Sequence, residues 1–226
     1  MDELQLNGPL SRRRFQTSLL TGILGLGTLG ALGSLPTEAE AACSVTANRM
    51  MQAVIGPGGK LLRQYCDPLY RGYSKPVDDP VYGHVYVRHT GRDFSKAPGS
   101  PVRAVAAGRV TGIMNPHSPP RWQAAVVYDG GSTWWIYGHL NLAVRVGQVI
   151  NRGQIVGTIA DPGGLWSPHV HVGAYKIPMP TRTESVQRTL SWGRAYGRTG
   201  AEAQASALRY TVDPLVAFAR TLGEAC

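Results

Sequence analysis

The sequence predicts a mainly β protein built on an antiparallel sheet, with short helices confined to its N- and C-terminal extensions. Three observations predict it. Short segments alternate apolar and polar residues with period two, as half-buried strands do. Glycine, proline and asparagine turns separate them, in a chain holding 28 Gly and 16 Pro. Helix signals are limited to the stretches around 46–54 and beyond 199.

In chain order, residues 1–41 read as an export leader. Ser11-Arg12-Arg13-Arg14-Phe15 resembles the twin-arginine signal, a weakly apolar run follows over 19–35, and Ala39-Glu40-Ala41 offers an A-x-A cleavage site. Paired arginines ahead of so mild a run favour the twin-arginine route over an ordinary secretory signal. The run is too weakly hydrophobic for a membrane span. A lipoprotein signal ending at Cys43 fits poorly, because Glu40 stands where an aliphatic residue is wanted. The expected location is therefore outside the cytoplasm, in the periplasm or at the cell wall.

Residues 42–78 form an extension with a helix around 46–54 and turns at Gly56-Pro57-Gly58-Gly59. A body over about 79–177 carries expected strands at 85–88, 102–105, 123–128, 133–137 and 169–174. A tail over 178–226 adds an alanine-rich, helix-prone stretch at 199–208. Asp213-Pro214 then reads as an N-cap with Pro at the first helical position, opening a helix over 215–222 before Gly223.

The formal net charge is +9. The leader's Arg12, Arg13 and Arg14 are outweighed by Asp2, Glu3, Glu38 and Glu40, so removing it leaves a more basic body, attracted to polyanions. For an exported protein the fitting polyanion is cell wall. Nucleic acid is excluded as the reading, since the basic residues are scattered and no aromatic-basic motif occurs. Cys43, Cys66 and Cys226 fit one bridge and a spare thiol, either Cys66–Cys226 or Cys43–Cys66. None has the spacing of a metal ligand.

Four of the six histidines fall in three short motifs: His89-Thr90-Gly91-Arg92-Asp93, Tyr137-Gly138-His139-Leu140 and His169-Val170-His171. On a strand, residues i and i+2 share a face, so His169 and His171 face one way and Val170 and Val172 the other, into a core. The same alternation puts Trp135, Tyr137 and His139 on one face, with Trp134, Ile136 and Leu140 on the other. Gly91 permits a tight bend between His89 and Asp93. Three His/Asp groups with further histidines beside them match a catalytic zinc site, where protein ligands hold the ion at about 2.0–2.2 Å and one position stays open. His117 reads as a solvated loop residue and His84 as structural. Trp122 and Trp166 read either as substrate platforms or as side chains packed under their own loops. Tyr82 or Tyr86 could bring a hydroxyl to the site.

Together these motifs resemble the lysostaphin/LytM-type zinc metallopeptidases, the M23 peptidase family. The intervening Gly99-Ser100-Pro101-Val102-Arg103-Ala104 and Gly108-Arg109-Val110 resemble the family's G-x-P-V-x-A and G-x-V, and the stretch from Val144 to Gly157 its tandem G-Q repeat. The likeness covers about residues 80–175, with Ser167 standing where the family's usual run has Gly-x ahead of Pro-His-x-His. It implies a β groove domain, one zinc ion held by His89, Asp93 and His171, and His139 and His169 as the catalytic pair. Zinc would activate water and polarise the scissile carbonyl. His169 would act as general base and then acid, and His139 would position water or stabilise the oxyanion, though the two roles could be exchanged. The implied substrate is peptidoglycan, cut in its cross-links or stem peptides. Two alternatives stand beside this: a non-catalytic wall-binding or hydrolase-regulating protein using the same groove, and an endopeptidase acting on a protein. An inhibitory extension covering the zinc is a further variant.

Overall fold

The computed structural model describes residues 43–68, 77–79, 83–115, 122–178, 190–191 and 193–226. The leader, Tyr82, His117 and the side chain of His84 lie outside these.

The N-terminal extension opens with helix α1 (Ala47–Ile55), capped by the Thr46 side chain, and continues as strand β1 (Lys60–Arg63). Strands β2 (Val77–Asp79) and β3 (Gly83–His89) follow, then β4 (Gly91–Ser95), β5 (Pro101–Arg103), β6 (Gly108–Met114), β7 (Gln123–Tyr128), β8 (Trp134–Leu142), β9 (Val149–Ile150), β10 (Ile155–Ile159) and β11 (His169–Tyr175). The tail contributes β12 (Leu190–Ser191), β13 (Arg194–Gly197), helix α2 (Gly200–Tyr210), β14 (Thr211–Val212) and helix α3 (Pro214–Leu222). All pairings among the described strands are antiparallel. The fold is mainly β, as expected. The main sheet runs β1-β4-β11-β8-β7-β6-β9, with β5, β10 and β14 attached; β12-β13-β3-β2 form a smaller one.

The G-Q repeat has a local physical basis. Gly147 and Gly153 take φ of +86° and +82°, and the side-chain amides of Gln148 and Gln154 accept the backbone N–H of Arg145 and Asn151. Glycine supplies the left-handed turn and glutamine closes it, once on each side of β9.

One face of the main sheet is dry. Phe94, Val170, Val172, Trp135 and Tyr137 are completely covered there, and α1 (Met50, Val54, Ile55) and α3 (Leu215, Phe218) belong to the same core. Alternation along β11 is as expected, with both valines inside. Alternation along β8 is not. The register slips between Gln123 and Ala125, so that Gln123 faces Leu140 and Ala125 faces Tyr137, and His139 takes φ +64°. This extra residue puts Leu140 into the core beside Trp135 and Tyr137, where His139 was expected.

Both ends of the described body meet. Cys43 is bridged to Cys226, and Arg49 pairs with Glu224 at 2.7 Å beside it. Neither expected cysteine pairing forms. Ser44 N–H donates to the Ala225 carbonyl, which brings residue 43 to the chain's last residue, whereas Cys66 is half-buried against β3 and is a free thiol. A bridged Cys43 has no thiol to carry a lipid. Among the described residues no helix is long and apolar enough to cross a membrane.

Arg92, on β4, reaches through to Asp213 at the head of α3 with two charge-assisted bonds of 2.8 and 2.7 Å, and its side chain is 2% exposed. Asp213 also caps α3 through Leu215 N–H. Removing Asp213 takes both charge-assisted bonds from a buried guanidinium and the cap from α3. Asp213→Ala should lower the free energy of unfolding by about 3–5 kcal/mol in urea titration, well beyond the ~1 kcal/mol of a lost cap; a loss under ~1 kcal/mol would refute the assignment.

Candidate metal centre

Strand pairing assembles the site. On β4 and β11, His171 lies directly opposite Asp93, and Arg63 of β1 lies opposite Asp93 on its other side. His89 ends β3, and the chain turns at Thr90 into β4. Gly91 is required here for space: a Cβ at position 91 would overlap the Val172 carbonyl oxygen and the His171 ring. The bend itself needs no left-handed glycine, since Gly91 is absent from the positive-φ residues.

Three atoms converge. His89 Nε2 lies 2.9 Å from His171 Nδ1 and 3.1 Å from Asp93 Oδ1, and His171 Nδ1 lies 3.0 Å from the same oxygen. All three residues are buried, at 2%, 5% and 2% exposure. Among the described residues this is the one His/Cys/Asp/Glu group close enough to hold a metal ion. Two imidazole nitrogens and a carboxylate oxygen are the donor set that suits zinc, and three protein donors leave a position for substrate or water. The residues present fit the ion that the sequence implied.

The other two histidines border this triangle. His169 donates Nδ1–H to the Ser167 carbonyl at 2.6 Å, which leaves its Nε2 lone pair facing Asp93 Oδ2 at 3.7 Å. His139 lies beside it, with ring centroids 4.5 Å apart. The β8 bulge that took His139 out of the core puts it here. Trp122 is buried 4.5 Å from the His139 ring and Trp166 is half-buried 5.9 Å away, so both wall the histidine pair. Tyr86 pairs with Gly197 in the smaller sheet.

Sequence reasoning missed the supports. The Gln64 carbonyl accepts His89 Nδ1–H at 2.8 Å. Arg63 Nε stands 3.9 Å from Asp93 Oδ2. Tyr175 accepts the Gly193 N–H at 2.9 Å and bonds Thr90 Oγ1 at 2.7 Å. Backbone carbonyls carry no sequence signal, and Arg63 and Tyr175 lie outside the motifs.

Burial and neighbouring charge divide the titrations. Burial opposes a charge on Asp93, but the His89 charge and hydrogen bonds from His171 and His89 outweigh it and hold the carboxyl well below its ordinary range. Burial, then the His169 charge, holds His139 well below the usual imidazole value; burial also lowers His171 despite its bond to Asp93. A histidine lowered in the fold is protonated first in the unfolded chain. Its contribution to stability is therefore full above about pH 6.5 and is lost as pH falls toward the folded value. Metal-stripped protein should lose urea resistance between pH 7 and pH 5, with a shallower loss in His139→Gln; equal slopes in the two proteins would refute this.

Residues 87–186 match the model of peptidase family M23. The peptidoglycan DD-endopeptidase ShyA of Vibrio cholerae is 27% identical over 150 residues, covering 60% of this chain and 34% of that protein. ShyB of the same organism, also a peptidoglycan DD-endopeptidase, is 32% identical over 110 residues, covering 46% of this chain and 25% of that one. The chain thus spans about a third or less of the length of these curated relatives. Among solved structures, the catalytic domain of the antimicrobial peptidase lysostaphin from Staphylococcus simulans aligns with a TM-score of 0.41 at 21% identity, covering 59% of this chain and 88% of that one.

Proposed function

Because this chain carries a peptidase family M23 domain over residues 87–186, we propose that it is an exported zinc metalloendopeptidase that hydrolyses peptide bonds in peptidoglycan. The observation that carries the reading is the triangle of His89 Nε2, Asp93 Oδ1 and His171 Nδ1, each pair 2.9–3.1 Å apart, with the Nε2 lone pair of His169 beside it.

His89, Asp93 and His171 would hold one zinc ion. When bound, it supplies Lewis acidity toward a water and a peptide carbonyl. His169 is the general base, since Ser167 fixes its Nδ1–H and Nε2 is left to take a proton from the attacking water and return it to the leaving amine. His139, held well below the usual imidazole value by its burial, orients the substrate carbonyl or the water by hydrogen bonding. Trp122 and Trp166 exclude solvent from the pair. The relatives' named substrate, the basic charge and the twin-arginine-like leader all support a wall substrate reached by export.

The test is digestion of purified peptidoglycan by residues 42–226, with zinc content measured in parallel. Wild type should hold one zinc per chain and release new amine termini at one kind of peptide bond. His171→Ala should lose the metal. His169→Ala should keep it while the rate falls about 100-fold or more. Full activity in both His169→Ala and His139→Ala would refute the assigned roles, and wall binding without zinc or cleavage would favour a docking protein.

A further inference from the structure

A short segment ahead of the family-matched residues grips one corner of the metal centre. Three hydrogen bonds tie it to His89. The Gln64 carbonyl accepts Nδ1–H at 2.8 Å, Cys66 N–H donates to the His89 carbonyl at 2.9 Å, and His89 N–H donates to the Asp67 carbonyl at 2.8 Å. The segment is closed on itself, because the Asp67 carboxylate accepts Gln64 N–H at 2.8 Å. β1 leads into it in register with β4, Leu61 opposite Phe94 and Arg63 opposite Asp93. At its apex Cys66 takes φ +60°, a left-handed conformation that is unfavourable for a non-glycine residue and kept only where surrounding contacts over-determine it. Here those contacts are the bonds to His89.

We propose that residues 64–67 are a positioning clamp for the metal ligand His89, with the Gln64 carbonyl selecting the imidazole tautomer that presents Nε2 to the ion. This rests on the zinc reading above. A neutral imidazole has one N–H and one lone pair. A carbonyl can only accept, so its bond at Nδ1 places the proton there and the lone pair on Nε2, the atom facing Asp93 Oδ1 and His171 Nδ1. A ring free to rotate or change tautomer offers that lone pair for only part of the time. Loss of such an outer partner typically weakens metal binding 10–100-fold. Residues 64–67 in this reading support the site from behind a ligand, whereas an inhibitory extension would cover the ion.

The experiment is zinc affinity by chelator competition, with ¹⁵N NMR of His89 in the zinc-loaded protein. Asp67→Ala opens the segment without touching a ligand and should bind zinc about tenfold more weakly. Asp67→Asn, whose amide oxygen still accepts Gln64 N–H, should restore the affinity, and the Nδ1 proton of His89 should persist in wild type and Asp67→Asn. If Asp67→Ala fails to fold, the α-hydroxy acid analogue of Tyr65 decides instead. It turns the 64–65 amide into an ester with a weaker carbonyl acceptor, and affinity should again fall. Zinc affinity within twofold of wild type in the deciding variant overturns the clamp alone. A wild type that binds no zinc overturns the clamp and the metal reading together. Faster hydrolysis with unchanged zinc affinity overturns it in favour of inhibition.

Discussion

The structure depends on one constraint: three lone-pair-bearing groups, on His89, Asp93 and His171, are buried within about 3 Å of each other. Each would cost roughly 1–3 kcal/mol if left unpartnered out of water. Their convergence needs the β4–β11 register that sets His171 against Asp93, and a one-residue slip would turn one of them into the core. It needs Gly91, because any side chain there would push His171 off its position. It needs the dry side of the same strands to be firm, which Phe94, Val170 and Val172 provide.

Arg92 shows how closely the two sides are coupled. It sits between Thr90, which touches the site's supports through Tyr175, and Asp93, a member of the triangle. Yet its own side chain runs the other way to meet Asp213 at the head of α3. The last helix is thus fastened to the strand that carries Asp93. The Cys43–Cys226 bridge then closes the chain around the same layer, constraining the unfolded state by about 2–5 kcal/mol. Both extensions act on the site as well as on stability. The segment 64–67 holds His89 from one side, and Gly193 holds Thr90 and Tyr175 from the other.

What was legible in the sequence was periodic or punctuated. The β class, the valine and histidine faces of β11 and the capped helix after Asp213 follow from period two or from capping chemistry, and the grouping of His89, Asp93 and His171 from the likeness of the motifs to a known family. What was illegible depended on backbone geometry. Nothing in Tyr137-Gly138-His139-Leu140 announces a bulge, so simple alternation put His139 on the face of Trp135 and Tyr137, the side that Leu140 takes in the structure. The pairing of Cys43 with Cys226 follows from where two chain ends meet, which spacing does not encode. The carbonyls of Gln64 and Ser167 have no residue identity to read.

The bulge also explains how two neighbouring histidines come to differ. A regular β8 would have left His139 facing Val170 in the core and His169 without a companion. With φ at +64°, His139 instead crosses to the other face and packs among Trp122, His169 and Trp166. There burial opposes its own protonation. His169, at the mouth of β11, has one nitrogen committed to Ser167 and the other turned to the triangle. A half-buried imidazole that stays neutral suits a fixed hydrogen-bonding group, and one with an oriented lone pair suits a proton carrier.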